Sequence, residues 1–402
     1  MSEAEIGVRG TGLLETRQRA DRWRLALALL ALGMIVLAGT TVLRGYSWRE
    51  LGSYGDAPDY LQQARTFRPG AHHMPLYGWT VGVLHVLMFR VPPIEAVGVA
   101  VSLACLVLAA DVIRRLLLFE QTPPARAFWI ALALSVFPAR HFVYATRILA
   151  DSMLCLFVVL GYLCLRRGQG HRANLSLCAA ALTHDLAAVL WIPAALGHLR
   201  QRAWGPLLSS PVICLPTLAL IVSRALGSDG VLRWQYDGRP IFTAPLLGLL
   251  KSPFDQPWLN VASYASFTIY GALYGWGLYR SMRGGAQGAF WFSVVPLAVL
   301  LCLREYVLYY AFDRFLVLSF PALATLLSSM DVKALRHRAV LAFFALVWLA
   351  SMAYFMWSFP SSDVRERFQK AIGPRPQVTS IDDRHSCREF LQSVFPEQCG
   401  VV

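Results

Sequence analysis

Apolar runs of roughly 20 residues, long enough to cross a lipid bilayer as helices, recur along almost the whole chain. Hydrophobic residues make up 56% of the sequence and charged residues only 15%, whereas soluble domains carry roughly a quarter charged residues. Water would not tolerate so much exposed apolar surface. The sequence therefore predicts an all-α polytopic membrane protein.

The arrangement of these runs predicts about 10–11 transmembrane helices and three regions. Residues 1–24 form a cytoplasmic N-terminus because a basic stretch precedes the first span. Residues 25–358 form the transmembrane domain, with a first outer loop at 45–93 and a second large outer loop at 227–259. Residues 359–402 form an extracytoplasmic tail. Within the first loop, the apolar run 76–89 is too short to span and predicts a helix at the outer interface.

The net charge of +13 reflects membrane topology rather than nucleic-acid binding. Most arginines flank apolar runs, and cationic loops are retained in the cytoplasm. The sequence therefore predicts a lipid bilayer, and no nucleic acid, as a partner. Heavy use of arginine over lysine suggests a GC-rich bacterial genome, hence a bacterial inner (plasma) membrane location.

Two cysteines, Cys387 and Cys399, lie in the polar tail. They could form a disulfide if the tail is extracytoplasmic. No Cys-x-x-Cys or Cys/His spacing predicts a zinc site.

Ionisable side chains gather on the predicted outer face, where the positive-inside rule does not explain the arginines. Ionisable groups at a membrane edge indicate function, and carboxylates together with arginines and histidines suit an anionic substrate and a base. The set comprises Asp56, Asp59, His72, His73, Arg140, His141, Arg147, Asp151, His184, Asp185, Arg304, Glu305, Asp313 and Arg314. For Arg147 and Arg304 we favour the simpler interpretation of interface anchors.

Four segments resemble, in order, motifs of the GT-C superfamily of polytopic glycosyltransferases that use polyprenyl-phosphate sugars. Those most similar are the dolichyl-phosphate-mannose-dependent mannosyltransferases of glycolipid assembly and their bacterial relatives. The resemblance covers roughly residues 20–330, with Asp151 in place of a glutamate and His184 in place of an arginine. The segments are 55–64 with 72–77, Phe137-Pro138 with 150–152, 181–184, and 313–315 with Phe320-Pro321.

The resemblance implies a GT-C-like helical bundle with a helical first extracytoplasmic loop. It implies inverting transfer of a sugar from a polyprenyl-phosphate donor to a lipid-linked or cell-envelope glycan acceptor at the outer face. The general base in such enzymes is the first-loop acid. Asp56 matches it best because Tyr60 follows at the family spacing, and Asp59 is the alternative. A local role for Asp56 as a helix cap is also open.

The resemblance also implies cations that bind the leaving phosphate and acids that bind the acceptor or a metal. The phosphate candidates are Arg314, His72, His73 and His184. Asp151 and Asp185 are candidates for an acceptor hydroxyl or for a divalent cation, Mg²⁺ or Mn²⁺. Structural alternatives are an ion pair of Arg314 with Asp313, helix capping by Asp151, and a self-satisfied polar break at 184–185.

Two other functions compete with sugar transfer. A flippase for a lipid-linked glycan would need a polar path along several spans and two pseudo-symmetric halves with broken helices, and the sequence has neither. A non-catalytic scaffold of an envelope polysaccharide assembly complex would tolerate loss of the acids.

Overall fold

A computed structural model describes residues 3–44, 56–70, 73–136, 139–227, 279, 291–292, 294–296 and 316–328. Over these residues every regular element is helical, which confirms the predicted all-α class. The elements are α1 (Glu3–Arg44), α2 (Ala57–Thr66), α3 (Leu76–Leu87), α4 (Ile94–Phe119), α5 (Pro124–Val136), α6 (Ala139–Ala145), α7 (Asp151–Arg166), α8 (Gly170–Thr183), a 3₁₀ helix (Asp185–Leu190), α9 (Trp191–Arg200), α10 (Trp204–Gly227), a second 3₁₀ helix (Leu316–Ser319) and α11 (Phe320–Ser328).

Among the described helices, three contain segments long and apolar enough to cross a bilayer: Arg19–Gly39, Ile94–Phe119 and Trp204–Ser223. Helices α3 and α5 are shorter but also apolar. The predicted outer loop at 227–259 and the tail at 359–402 lie outside the described residues. The total number of spans and the face on which each loop lies stay predictions.

Helices α1 and α4 run antiparallel. Arg22, near the start of the apolar segment of α1, lies 3.3 Å from the Asp111 carboxylate in the second half of α4. Further along, Gly33 faces Leu103, and a β-carbon on the glycine would lie 2.7 Å from the tip of that leucine side chain. The end of α1 therefore lies at the start of α4, which places both flanks of the first loop at one end of the bundle.

An ion-pair cluster marks the opposite end, which we call the arginine end. The buried carboxylate of Asp111 contacts Arg22, Arg114 at 3.1 Å and Arg115 at 2.7 Å. The sequence predicts that the span ends just before Arg114-Arg115, but α4 continues to Phe119. The extra turn is possible because Asp111, one turn earlier on the same helix, compensates the two positive charges.

Helices α7 and α11 run parallel to α4. At the arginine end, Glu120 pairs with Arg166 at 3.3 Å and accepts a hydrogen bond from Thr325 at 3.1 Å. At the other end, which we call the loop end, Ser102 of α4 donates to the carbonyl of Leu149, just before α7. Helix α7 therefore begins near the loop end, as α4 does, and the short α11 lies beside them at the arginine end.

The apolar run 173–199 is broken at its polar triplet, as the sequence predicts. Helix α8 ends at Thr183, and His184 adopts an extended conformation with φ −153° and ψ 125°. The 3₁₀ helix and α9 then continue the chain. Because α8 returns from the arginine end alongside α7, with Gly161 packed against Leu177, the break lies at the loop end.

Two glycines let the short helices α2 and α3 pack backbone against backbone. A β-carbon on Gly82 would overlap the carbonyl oxygen of Ala64, and one on Gly78 would lie 2.6 Å from the Gln63 side chain. A Gly-x-x-x-Gly spacing of this kind allows close helix contact. The first loop is therefore a tightly packed helical hairpin, consistent with the predicted helical first loop.

The substitution Gly82→Ala tests this contact. We expect it to lower the free energy of unfolding by about 1–3 kcal/mol, because the added methyl group overlaps backbone, although alanine favours helices more than glycine does. The matched control is Gly205→Ala in α10, where an added β-carbon meets no atom closer than 3.8 Å. Thermal midpoints in detergent measure both. Equal midpoints for Gly82→Ala and the wild type would contradict the close contact.

The substitution Asp111→Asn tests the arginine end. It leaves the buried Arg114 guanidinium without its counter-charge, so we expect a loss of about 3 kcal/mol in the free energy of unfolding. Arg65→Gln is the control, because it breaks an exposed ion pair with Glu95 at 3.4 Å, and such pairs contribute about 0–1 kcal/mol. Chemical unfolding in micelles measures both, and losses of equal size would argue against a desolvated cluster.

Candidate active site

Asp56 occupies the residue before α2, but its side chain does not cap the helix. It makes no hydrogen bond to the first-turn backbone N–H groups. Its carboxylate Oδ1 instead lies 3.5 Å from Nε2 of His73, which is ion-pair range. Both side chains are partly buried, with exposed fractions of 27% and 22%. The first loop therefore presents an acid–imidazole pair that remains reachable from solvent.

His73 is held from two further sides. The ring of Tyr60 packs on the imidazole with ring centroids 4.9 Å apart. The side-chain amide of Gln63 donates to the carbonyl of His73 at 2.8 Å. Because Asp56, Tyr60 and Gln63 recur at helical spacing, one face of the α2 region supplies all three contacts. That spacing is a sequence signal that could have identified Gln63 as a site residue.

Asp59, the alternative base, occupies a different environment. Its carboxylate lies 3.5 Å from the Gln63 amide nitrogen and against Gly70, where a β-carbon would come within 2.6 Å of Oδ1. It also sits in the first turn of α2, where a negative charge is favourable near the helix N-terminus. These contacts indicate a local structural role for Asp59.

A buried hydroxyl chain fastens this loop to the bundle. The Tyr77 hydroxyl donates to the Gly98 carbonyl at 2.9 Å and lies 2.8 Å from the Ser102 hydroxyl. Ser102 donates to the Leu149 carbonyl at 3.1 Å. The chain crosses α4 and ends two residues before Asp151. Side chains of α2, α3, α4 and the start of α7 complete one apolar cluster around it.

Asp151, the first residue of α7, is one of three buried ionisable residues in this part of the chain. His141, Arg147 and Asp151 all have exposed fractions of 2% or less, so the interpretation of Arg147 as a headgroup anchor is wrong. Within the described part of the chain, neither ring nitrogen of His141 has a hydrogen-bond partner. Burial lowers the pKa of His141 to about 4, and the negative charge of Asp151 opposes that shift. The sequence placed these residues on one face but did not predict their burial.

His184 and Asp185 satisfy each other at the break after α8. His184 Nδ1 lies 3.0 Å from Asp185 Oδ1, and the Leu186 N–H lies 3.0 Å from the same oxygen and 3.3 Å from Nδ1. With its proton on Nδ1, His184 donates to Asp185, which also accepts from Leu186. These contacts agree with the predicted alternative of a self-satisfied polar break.

Four of the predicted site residues lie outside the described residues: His72, Arg314, Cys387 and Cys399. The 3₁₀ helix that begins two residues after Arg314 packs against α7, and Phe320 packs edge-on against His141 with centroids 5.6 Å apart. Among the described side chains, no three His, Cys, Asp or Glu residues converge as metal ligands. The divalent cation stays a prediction.

No family model matches the chain, and no curated protein does. Two crystal structures of ArnT from Cupriavidus metallidurans are similar in fold. The complex with undecaprenyl phosphate has a TM-score of 0.51 at 15% identity, over 80% of this chain and 63% of the ArnT chain. The apo state has a TM-score of 0.50 at 16% identity, over 80% and 62%.

This chain shares its fold with ArnT. The match confirms the predicted fold class, an all-α polytopic membrane protein whose helical bundle resembles that of ArnT. It does not support the mannosyltransferase type within that fold. The chain spans less than two thirds of the ArnT length.

The burial of His141 generates a pH-dependence. The unfolded chain has this imidazole near its ordinary pKa of 6.5, whereas the folded pKa is about 4. Between those values the unfolded state binds more protons, so stability is full above about pH 6.5 and is lost as the pH falls towards 4. We expect His141→Phe, which keeps the ring against Phe320, to remove this part of the slope. Thermal midpoints from about pH 7.5 to 4.5 measure it, and parallel curves for both proteins would contradict the burial.

Proposed function

We propose that the protein is an inverting membrane glycosyltransferase that transfers a sugar from a polyprenyl-phosphate donor to a lipid-linked or cell-envelope glycan. The observation that carries the proposal is the partly buried Asp56–His73 pair at the loop end of a bundle with the ArnT fold. The undecaprenyl phosphate bound to ArnT supports a polyprenyl phosphate as the lipid partner here.

Asp56 is the proposed general base. It takes the proton of the acceptor hydroxyl as that oxygen attacks the anomeric carbon of the donor sugar. The new bond forms on the face opposite the phosphate, the bond from the anomeric carbon to the phosphate oxygen breaks, and polyprenyl phosphate leaves with the electron pair. One displacement of this kind inverts the anomeric centre. Asp56 suits the role because its carboxylate is not engaged in capping α2.

The leaving phosphate needs positive charge close by. Arg314 is the proposed ligand because its guanidinium can bind two phosphate oxygens at once. The 3₁₀ helix that follows packs against α7, the helix that begins with Asp151. His72 and His184 are proposed as additional contacts. Asp151 is proposed to act on the acceptor side, whereas the contacts of Asp185 with His184 and Leu186 favour a structural role.

The membrane is the physical reason for this architecture. The polyprenyl tail stays in the bilayer while the sugar reaches the loop end. The corner after α3 supports an interfacial position for the first loop, because Phe89 and Val91 are 89% and 83% exposed and fit a lipid environment better than water. We place the active site on the extracytoplasmic side of a bacterial inner membrane.

The substitution Asp56→Asn tests the proposed base. In proteoliposomes supplied with polyprenyl-phosphate sugars and a crude glycolipid acceptor, we expect transfer to fall by about 100- to 10,000-fold, the usual contribution of general base catalysis. The thermal midpoint should stay close to that of the wild type. Asp59→Asn is the control, and we expect it to change transfer only a few-fold because its contacts are local.

Unchanged transfer by Asp56→Asn would reject Asp56 as the base. Wild-type protein that transfers no sugar but moves the donor lipid across the bilayer would indicate a flippase. A wild type with neither activity would indicate a scaffold.

A further inference from the structure

The structure gives His73 a different task from the phosphate contact that the sequence suggests. Its Nε2, the ring nitrogen farthest from the backbone, faces Asp56 at 3.5 Å. A histidine binds a phosphate or takes a proton through a ring nitrogen that faces the substrate. In His73 the accessible nitrogen is directed at a protein carboxylate instead.

The surroundings of His73 fix its position tightly. Tyr60 and Gln63, which contact its ring and its carbonyl, are both only 1% exposed. Gln63 can occupy its place because Gly78 has no side chain there, and Tyr60 is in turn packed edge-on against Tyr77 with centroids 5.0 Å apart. A buried layer of side chains therefore holds one imidazole in one orientation, as a preorganised site requires.

We propose that His73 is a positioning residue for Asp56 in the sugar transfer proposed above. Its Nε2–H is directed at Asp56 Oδ1, 3.5 Å away, and so holds the carboxylate in the orientation in which it takes the proton of the acceptor hydroxyl. His73 neither gains nor loses a proton in this step. The neutral form with its proton on Nε2 suits the role best, because a cationic imidazole would weaken Asp56 as a base.

Two substitutions at one position separate positioning from phosphate binding. His73→Gln keeps an N–H donor near the place of Nε2 and cannot carry a charge, whereas His73→Leu fills similar space without a donor. We expect kcat of His73→Leu to fall by up to about 100-fold, the cost of a misplaced catalytic group, with an unchanged donor KM. We expect His73→Gln to keep kcat within about threefold of the wild type. Binding of undecaprenyl phosphate alone should be equal in all three proteins.

Other outcomes would overturn the inference. If both variants bind undecaprenyl phosphate more weakly, His73 is a phosphate ligand. If both retain wild-type kcat, the pair is structural only.

A readout without turnover separates this inference from the proposed function. In protein labelled with ¹⁵N-histidine, we expect the His73 resonance to report a proton held on Nε2, and Asp56→Ala to shift it towards a mixture of tautomers. His73→Gln identifies the resonance. An inactive wild type with this tautomer shift would refute sugar transfer but retain the pair, whereas an unchanged tautomer would refute the positioning contact itself.

Discussion

The hydroxyl of Tyr77 is the point at which the first loop is fastened to the helix bundle. It contacts a backbone carbonyl and a serine hydroxyl of α4, and that serine donates to the carbonyl of Leu149, just before α7. Tyr77 also supports the ring of Tyr60, which backs His73. Because buried polar groups are costly when unpaired, this chain of bonds admits few alternative arrangements. The position of Asp56 relative to α4 and α7 depends on it.

The two ends of the bundle use charge in different ways. At the arginine end, each buried carboxylate faces arginines, as Asp111 faces Arg114 and Glu120 faces Arg166. Such clusters hold helices together, and the charges compensate one another. At the loop end, two of the described acids face histidines, in the pairs Asp56–His73 and Asp185–His184. Imidazole can be neutral near physiological pH, so a carboxylate beside it retains more basic character than one beside an arginine.

Local sequence patterns predicted where helices begin and end, but they did not predict which side chains from different helices would contact each other. The lengths of the apolar runs and the polar residues between them predict three features: the short helix at 76–87, the break after Thr183 and the start of α7 at Asp151. The pairing of Asp56 with His73 does not, because it depends on how tightly α2 and α3 pack. Nor does the burial of His141 and Arg147, since a membrane-edge position and a protein-interior position look alike in sequence. The added turn of α4 is different, because the spacing of Asp111 from Arg114 and Arg115 is a local pattern that could have predicted it.

The lengths of α7 and α8 have a consequence for how lipids approach the protein. These helices have 16 and 14 residues, so they rise about 24 and 21 Å, less than the roughly 30 Å of hydrocarbon in a bilayer. If both helices span the bilayer, as the sequence predicts, polar groups at their loop ends would lie below the plane of the surrounding headgroups, because a hydrophobic segment shorter than the bilayer thins it locally. In the sugar transfer proposed above, the phosphate of a polyprenyl donor would then meet these groups at the floor of a thinned leaflet.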